Sequence, residues 1–128
     1  MYFYHKEIKN FLYLKIHIGG GVVVREHNKE ENKDIYYSVG NERFEEVLNW
    51  LMKERFKRLG YPEDIFKDFS CELLEGRKIV VKHFDLKFPV TTGRFKVKAP
   101  KILLEEIYRT GMGSRLSQGF GLLSRWWD

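Results

Sequence analysis

The stretch Lys78–Lys98, KIVVKHFDLKFPVTTGRFKVK, decides the fold. It is long, rich in β-formers, and broken by Thr91-Thr92-Gly93, residues suited to a bend. On the arm that leaves this bend, Arg94, Lys96 and Lys98 share one face while Phe95 and Val97 share the other. The spacing predicts a hairpin around Thr91–Gly93. Upstream, Phe66–Leu74 is a candidate strand and Gly76 marks a turn. These strands lie between two helical patterns, and that bracketing gives the order of elements.

The first helical pattern follows Gly40. Asn41 is a candidate N-cap, and Glu42, Glu45 and Glu46 stand near the positive end of the helix dipole. Phe44, Val47, Leu48, Leu51, Phe56 and Leu59 recur at three- and four-residue steps. Gly60 stops the run and Pro62 follows. Trp50 lies off this stripe and is expected at the periphery of the core. The second helix opens after Pro100, carries Ile102, Leu103 and Ile107, and ends at Gly111.

At the N-terminal side, Phe11–Ile18 alternates loosely as a strand. Gly19-Gly20-Gly21 then reads as a hinge, and Val22–Arg25 as a buried strand. A polar turn from Asn28 to Asp34 leads to Ile35-Tyr36-Tyr37, a hairpin partner. Phe120–Trp126 supplies the last apolar strand. From Val22 onward the order is strand, helix, strand, strand, helix, strand. That is the ferredoxin-like βαββαβ pattern, an α+β fold with an antiparallel sheet and two helices on one face. The expected division is residues 1–18 as an N-terminal strand segment, the last piece of a preceding fold, and residues 19–128 as the ferredoxin-like domain.

Composition narrows the function classes. The 128 residues carry a formal charge of +5. Residues 1–75 hold 12 Lys/Arg against 14 Asp/Glu, whereas residues 76–128 hold 11 against 4. The excess positive charge therefore lies at the C-terminal end, where an anionic partner is expected. A single cysteine, Cys71, cannot close an intramolecular disulfide, so a disulfide-built secreted domain is excluded and a reducing cytoplasm fits. No apolar run approaches a membrane span and no signal-peptide layout is present. His5, His17, His27 and His83 are scattered without metal-ligand spacing, so no metal or cofactor is expected.

The segment most suggestive of chemistry is Gly111-Met112-Gly113-Ser114-Arg115-Leu116-Ser117-Gln118-Gly119-Phe120-Gly121. Glycines permit positive φ and close approach of a polyanion to backbone N–H groups. Arg115 adds charge, while Ser114, Ser117 and Gln118 add hydrogen-bond donors. A dinucleotide loop would follow a strand and open a helix, and a Walker loop would need Lys where Phe120 stands. This loop follows a helix and opens a strand, so both nucleotide readings fail. Tight turns alone would equally require its glycines.

In this position the loop resembles the C-terminal signature of the CRISPR repeat-processing endoribonucleases of the RAMP superfamily. Val22–Arg25, the Phe44–Leu59 helix, the basic hairpin and the Gly119-Phe120-Gly121 strand come in that family's order, and the resemblance covers about residues 19–124. It implies binding of CRISPR repeat RNA and metal-independent cleavage by attack of a 2′-hydroxyl on the adjacent phosphate. That reaction leaves a 2′,3′-cyclic phosphate and a 5′-hydroxyl, and needs a base, an acid and a donor for the phosphorane charge. It implies RNA contact by Gly111, Gly113, Ser114, Arg115, Ser117, Gln118, Gly119 and Gly121, and by Lys87, Arg94, Lys96 and Lys98 of the hairpin.

The family's catalytic histidine belongs to an N-terminal fold that this chain is not expected to contain. Tyr4, His5 and Lys6 offer suitable side-chain types, but neighbours on a strand point to opposite faces, and no residue is assigned to catalysis. The alternatives are a non-catalytic RNA-binding module and a structural subunit of a RAMP complex. Trp126 and Trp127 would place one ring outward, a basis for a homodimer or for contact with RAMP-complex subunits. Tyr36, Tyr37 and Tyr108 could stack on bases, although core packing is the default.

Overall fold

The computed structural model describes residues 12–114, 116, 120–122 and 125–127, with backbone alone for 12–17, 19, 83 and 125–127. The elements are β1 (Leu12–Val22), β2 (Val24–Asn28), β3 (Lys33–Tyr37), α1 (Phe44–Arg58), α2 (Glu63–Phe66), β4 (Ser70–His83), β5 (Leu86–Ala99), α3 (Lys101–Thr110) and β6 (Arg125–Trp127). The main sheet has the order β4-β5-β1-β6, and β2 and β3 form a separate two-stranded ribbon. All its neighbouring pairs are antiparallel. With β1 between β5 and β6 this is the ferredoxin-like arrangement expected from the order of elements.

The opening strand of that arrangement differs from the expectation. It is β1, which runs through Gly19-Gly20-Gly21, and the boundary expected between residues 18 and 19 falls inside it. The ladder with β5 is regular from Leu12–Ala99 to Ile18–Gly93, then shifts before Val22–Thr91. The glycines allow this irregularity rather than a hinge. Gly21 takes φ +96, and a Cβ there would lie 2.7 Å from Val90 Cγ2. A triple glycine can thus mark a bulge with close side-chain approach as well as a break. Val24–Asn28, in turn, pairs with β3 and not with the main sheet.

The turn expected at Gly76 and the bend expected at Thr91–Gly93 are both absent from those places. Gly76 and Gly93 face each other inside one β4–β5 ladder that runs from Ser70–Lys98 to His83–Leu86, with a register shift between Leu73 and Glu75. A Cβ on Gly93 would lie 2.0 Å from the Glu75 carbonyl oxygen, so glycine serves contact between strands here. Thr91 is fully buried, and its Oγ1 accepts the Val39 amide at 3.0 Å. The real tip is Phe84-Asp85, with Phe84 at φ 58, and it lacks the Asn or Gly that marks most such turns. The strand expected from Phe66 begins only at Ser70, because Glu63–Phe66 forms a short helix.

Helix α1 buries Phe44, Val47, Leu48 and Phe56 of the stripe read from the sequence, with Met52, which that stripe omits, fully inside and Leu51 only partly buried. Asn41 does not cap it formally. Its Oδ1 accepts the Arg43 amide at 2.8 Å in the turn that leads into the helix. Leu59 and Trp50 are each 53% exposed, Leu59 because it sits past the last turn and Trp50 because it lies off the stripe. From the sheet, Cys71, Phe95, Val97 and Ala99 meet Leu103, Leu104 and Ile107 of α3 and the buried face of α1. A second cluster forms around Val23, Phe88 and Val90, joined by Tyr36, Val81 and Phe120.

Candidate nucleic-acid interface

The basic strand read from the sequence is β5. Phe95, Val97 and Ala99 enter the core, so Arg94, Lys96 and Lys98 occupy the opposite, helix-free face, each half-buried. Lys87 lies near the tip and is exposed. The register adds what spacing alone could not give. Glu75 stands opposite Arg94 and Glu72 opposite Lys96 on β4. Arg94 Nη2 donates to Glu75 Oε2 at 3.2 Å. On the other side of β5 the ladder places Tyr13, Lys15 and His17 of β1 opposite Lys98, Lys96 and Arg94.

Charge is least compensated toward the tip. Lys82 and Lys87 are directly opposed in the ladder and both exposed, and among the described residues neither forms an ion pair. Like charges in that position repel. Phe84, 85% exposed, sits at the turn between them.

The glycine loop begins at the end of α3 and folds back against β1. The Gly111 amide donates to Ile107, Met112 to Gly121, Ser114 to Val23 and Gly121 to Gly21, all through carbonyl oxygens at 2.7–2.9 Å. Those N–H groups are committed to protein acceptors. Gly111, Gly113 and Gly121 have φ of 95, 88 and 79. Cβ atoms on Gly113 and Gly121 would fall 2.5 Å from the Val23 oxygen and 2.0 Å from the Met112 oxygen. These glycines therefore permit a close backbone crossing. Phe120 pins the loop from above, its ring edge-on to Phe88 at 5.6 Å. Arg115, Ser117, Gln118 and Gly119 lie outside the described residues, as do Tyr4, His5, Lys6 and the side chains of Trp126 and Trp127.

One residue that sequence reasoning passed over holds this loop to the first helix. Arg55, on α1, donates from Nη2 to the Gly111 carbonyl oxygen. Among the described residues its Nε and Nη1 are buried without a hydrogen-bond partner, and burial pushes its pKa below the usual guanidinium value. Nearby, Glu106 of α3 is buried and accepts from Tyr61 Oη at 2.9 Å and from Arg109. Only its place three residues after the buried Met52 would have set Arg55 apart from the surrounding run of basic residues.

The tyrosines divide. Tyr36 stacks on Phe88 at 5.2 Å, and Tyr37 is buried and donates to Glu26 Oε1 at 2.8 Å, whereas Tyr108 is half exposed. Among the described residues no group of three or more His, Cys, Asp or Glu side chains is placed to hold a metal ion.

The family model for "CRISPR associated protein Cas6, C-terminal" matches residues 5–124. The chain belongs to the Cas6 family, in its C-terminal region. No curated protein sequence matches it. Among solved structures, one described as "Characterization of a Cas6-related gene from Pyrococcus furiosus" is similar at 24% identity and TM-score 0.71, over 96% of this chain and 51% of that one. Another, "An RAMP protein binding different RNA substrates", matches at 19% identity and TM-score 0.73, over 98% of this chain and 52% of that one. A third, "CRISPR associated protein Cas6", matches at 24% identity and TM-score 0.63, over 88% and 47%. These likenesses carry the Cas6 fold. The chain spans about half the length of the solved structures it matches.

Proposed function

We propose that this chain binds CRISPR repeat RNA in the cytoplasm, as the C-terminal fold of a Cas6 endoribonuclease serving antiviral defence. The observation that carries the reading is the β4–β5 tip, where Lys82 and Lys87 oppose each other and neither forms an ion pair among the described residues, Asp85 being the one acid in the turn between them. A folded protein keeps such a repulsive pair at some cost in stability, and a phosphate backbone between the two ammonium groups removes it. Family membership supports RNA as that polyanion, as does the similar structure of a RAMP protein binding different RNA substrates. Arg94, Lys96 and Lys98 add further cations on the opposite face of β5, at odd spacings from Lys87. The glycine loop acts by shape, through the close backbone crossing at Gly113 and Gly121.

Cleavage in this reading is the metal-independent attack of a ribose 2′-hydroxyl on its own 3′-phosphate. The P–O5′ bond breaks, the leaving oxygen takes a proton, and a 2′,3′-cyclic phosphate remains. The contribution of this chain is to grip and register the RNA, since such phosphate contacts position a substrate more than they read its sequence.

The test is incubation of the purified chain with end-labelled repeat RNA in EDTA. A discrete product ending in a cyclic phosphate supports a nuclease, and binding without cutting leaves a non-catalytic RNA-binding module. Absence of binding removes the RNA reading. Lys82→Glu with Lys87→Glu should weaken binding at least tenfold and flatten its salt dependence.

A further inference from the structure

A cleft of about 530 Å³ opens between α1, the β2–β3 ribbon and the glycine loop, and no residue of β4 or β5 lines it. Its floor and walls combine an aromatic face with cations. From α1 come Trp50, Glu54 and Arg58, at four-residue steps on one helix face, and Arg55 beside them. From the ribbon come Arg25 and Lys29, and from the loop Ser114.

Charge in the cleft is unevenly compensated. Asp34 accepts from His27 Nδ1 at 2.8 Å and lies 3.6 Å from Arg25. Glu26 accepts the Tyr37 hydroxyl and lies 4.0 Å from Arg43. Among the described residues, neither Lys29 nor Arg58 forms an ion pair, and Glu54 is the one lining carboxylate left to offset them. Beneath them the Arg55 guanidinium keeps two buried N–H atoms without partners among the described residues. The charge of buried Glu106 offsets part of the cost of burying this cation, yet burial still lowers its pKa, and its unpartnered N–H groups leave room for a further acceptor. Trp50, meanwhile, leaves half of its surface exposed at the cleft edge.

We propose that this cleft binds a nucleotide of single-stranded RNA, its phosphate held by Arg25, Lys29 and Arg58 and its base laid on Trp50. The pairing of a flat aromatic with neighbouring cations is what one nucleotide requires, a π-face beside a negative charge. An acidic peptide would use the cations and leave the indole face unmatched. The inference rests on the RNA-binding reading and adds a second contact surface to it, so that a strand leaving the hairpin is gripped again by the helix side of the glycine loop.

Titration of the full chain with oligouridylate, following tryptophan fluorescence, tests it. Saturable quenching is expected, and Trp50→Phe should remove that signal from the background of Trp126 and Trp127. Trp50→Ala should weaken binding at least fivefold. Lys29→Glu with Arg58→Glu should weaken it about tenfold and reduce the slope of log K against log salt by about 0.7 per lost phosphate contact. All these positions are exposed, and urea unfolding of each variant confirms an intact fold. Unchanged oligouridylate affinity in the cleft variants overturns the inference. If repeat-RNA binding then still falls with Lys82→Glu and Lys87→Glu, the hairpin reading stands alone. If the unsubstituted chain binds no RNA, both fail. Quenching by polyglutamate that oligouridylate cannot displace also overturns it, in favour of an acidic protein partner.

Discussion

Gly121→Ala separates two reasons for a glycine in the loop. If Gly121 serves RNA approach, its replacement lowers affinity and leaves stability alone. If it serves the backbone crossing, stability falls first. The structure predicts the second. Gly121 has φ +79, where an L-residue costs about 1–2 kcal/mol. The new Cβ would lie 2.0 Å from the Met112 oxygen and 2.8 Å from Leu116 Cδ2, so the backbone must move. That movement endangers the Met112–Gly121 and Gly121–Gly21 hydrogen bonds, each about 0.5–1.5 kcal/mol. The expected loss is about 2–5 kcal/mol, or roughly 6–25 °C in Tm for a domain of this size. Gly20→Ala is the matched comparison. Nothing lies within 4 Å of its Cβ position and its φ is not positive, so it should stay within about 0.5 kcal/mol of the parent. Urea unfolding followed by circular dichroism measures both. A Gly121→Ala protein as stable as the parent, or a Gly20→Ala protein equally damaged, would refute the reasoning.

Three further outcomes follow from other parts of the molecule. Lys82→Glu alone should raise stability by about 0.2–1 kcal/mol, by replacing a repulsive cross-strand pair with an attractive one, while lowering RNA affinity; urea unfolding and a filter-binding titration should move in opposite directions. Cys71 is buried and burial raises its pKa, so iodoacetamide at pH 8 should label it only as fast as the fold opens, and labelling at the rate of a free thiol would contradict this. Tyr37 and Tyr61 have pKa values raised above 10.0, Tyr37 chiefly by its hydrogen bond to Glu26 and Tyr61 chiefly by burial. A raised folded-state pKa contributes stability that is complete below the unfolded value and lost as pH rises through the folded one. Stability should therefore fall from about pH 10 upward, and the combined Tyr37→Phe, Tyr61→Phe variant should show a shallower fall in urea unfolding between pH 9 and 11.

Helices were the legible part of this sequence. The stripe from Phe44 to Phe56 and the Pro100–Gly111 brackets each rest on local geometry that a short window contains. Glycine was the ambiguous letter. Gly21, Gly76 and Gly93 look like interruptions, yet each sits within a strand, Gly21 and Gly93 because Val90 and the Glu75 backbone leave no room for a Cβ, and Gly76 because it pairs with Gly93. For Gly21 and Gly93 the contact that demands the glycine comes from Val90 and from the Glu75 backbone on another strand, and no local pattern reports it. The same limit applied to charge. Arg94, Lys96 and Lys98 were readable as a row, but Glu72 and Glu75 across from them were not, because pairing register is a property of the sheet. The cleft beside Trp50 was illegible for that reason as well, since α1, the ribbon and the loop meet only in three dimensions.

The place of β1 in the sheet has a consequence for synthesis. Both of its partners come later in the chain, β5 ending at Ala99 and β6 at Trp127. At about 5–20 residues per second, roughly 4–15 s separate the emergence of Val22 from that of Ala99. During that interval a glycine-bearing strand waits with both edges open. The β2–β3 ribbon and α1 can form meanwhile from contacts near in sequence, but the sheet assembles around β1 only when translation has delivered β5 and then β6. A ribosome that pauses before β5 would thus hold the nascent chain where strand-to-strand aggregation is easiest.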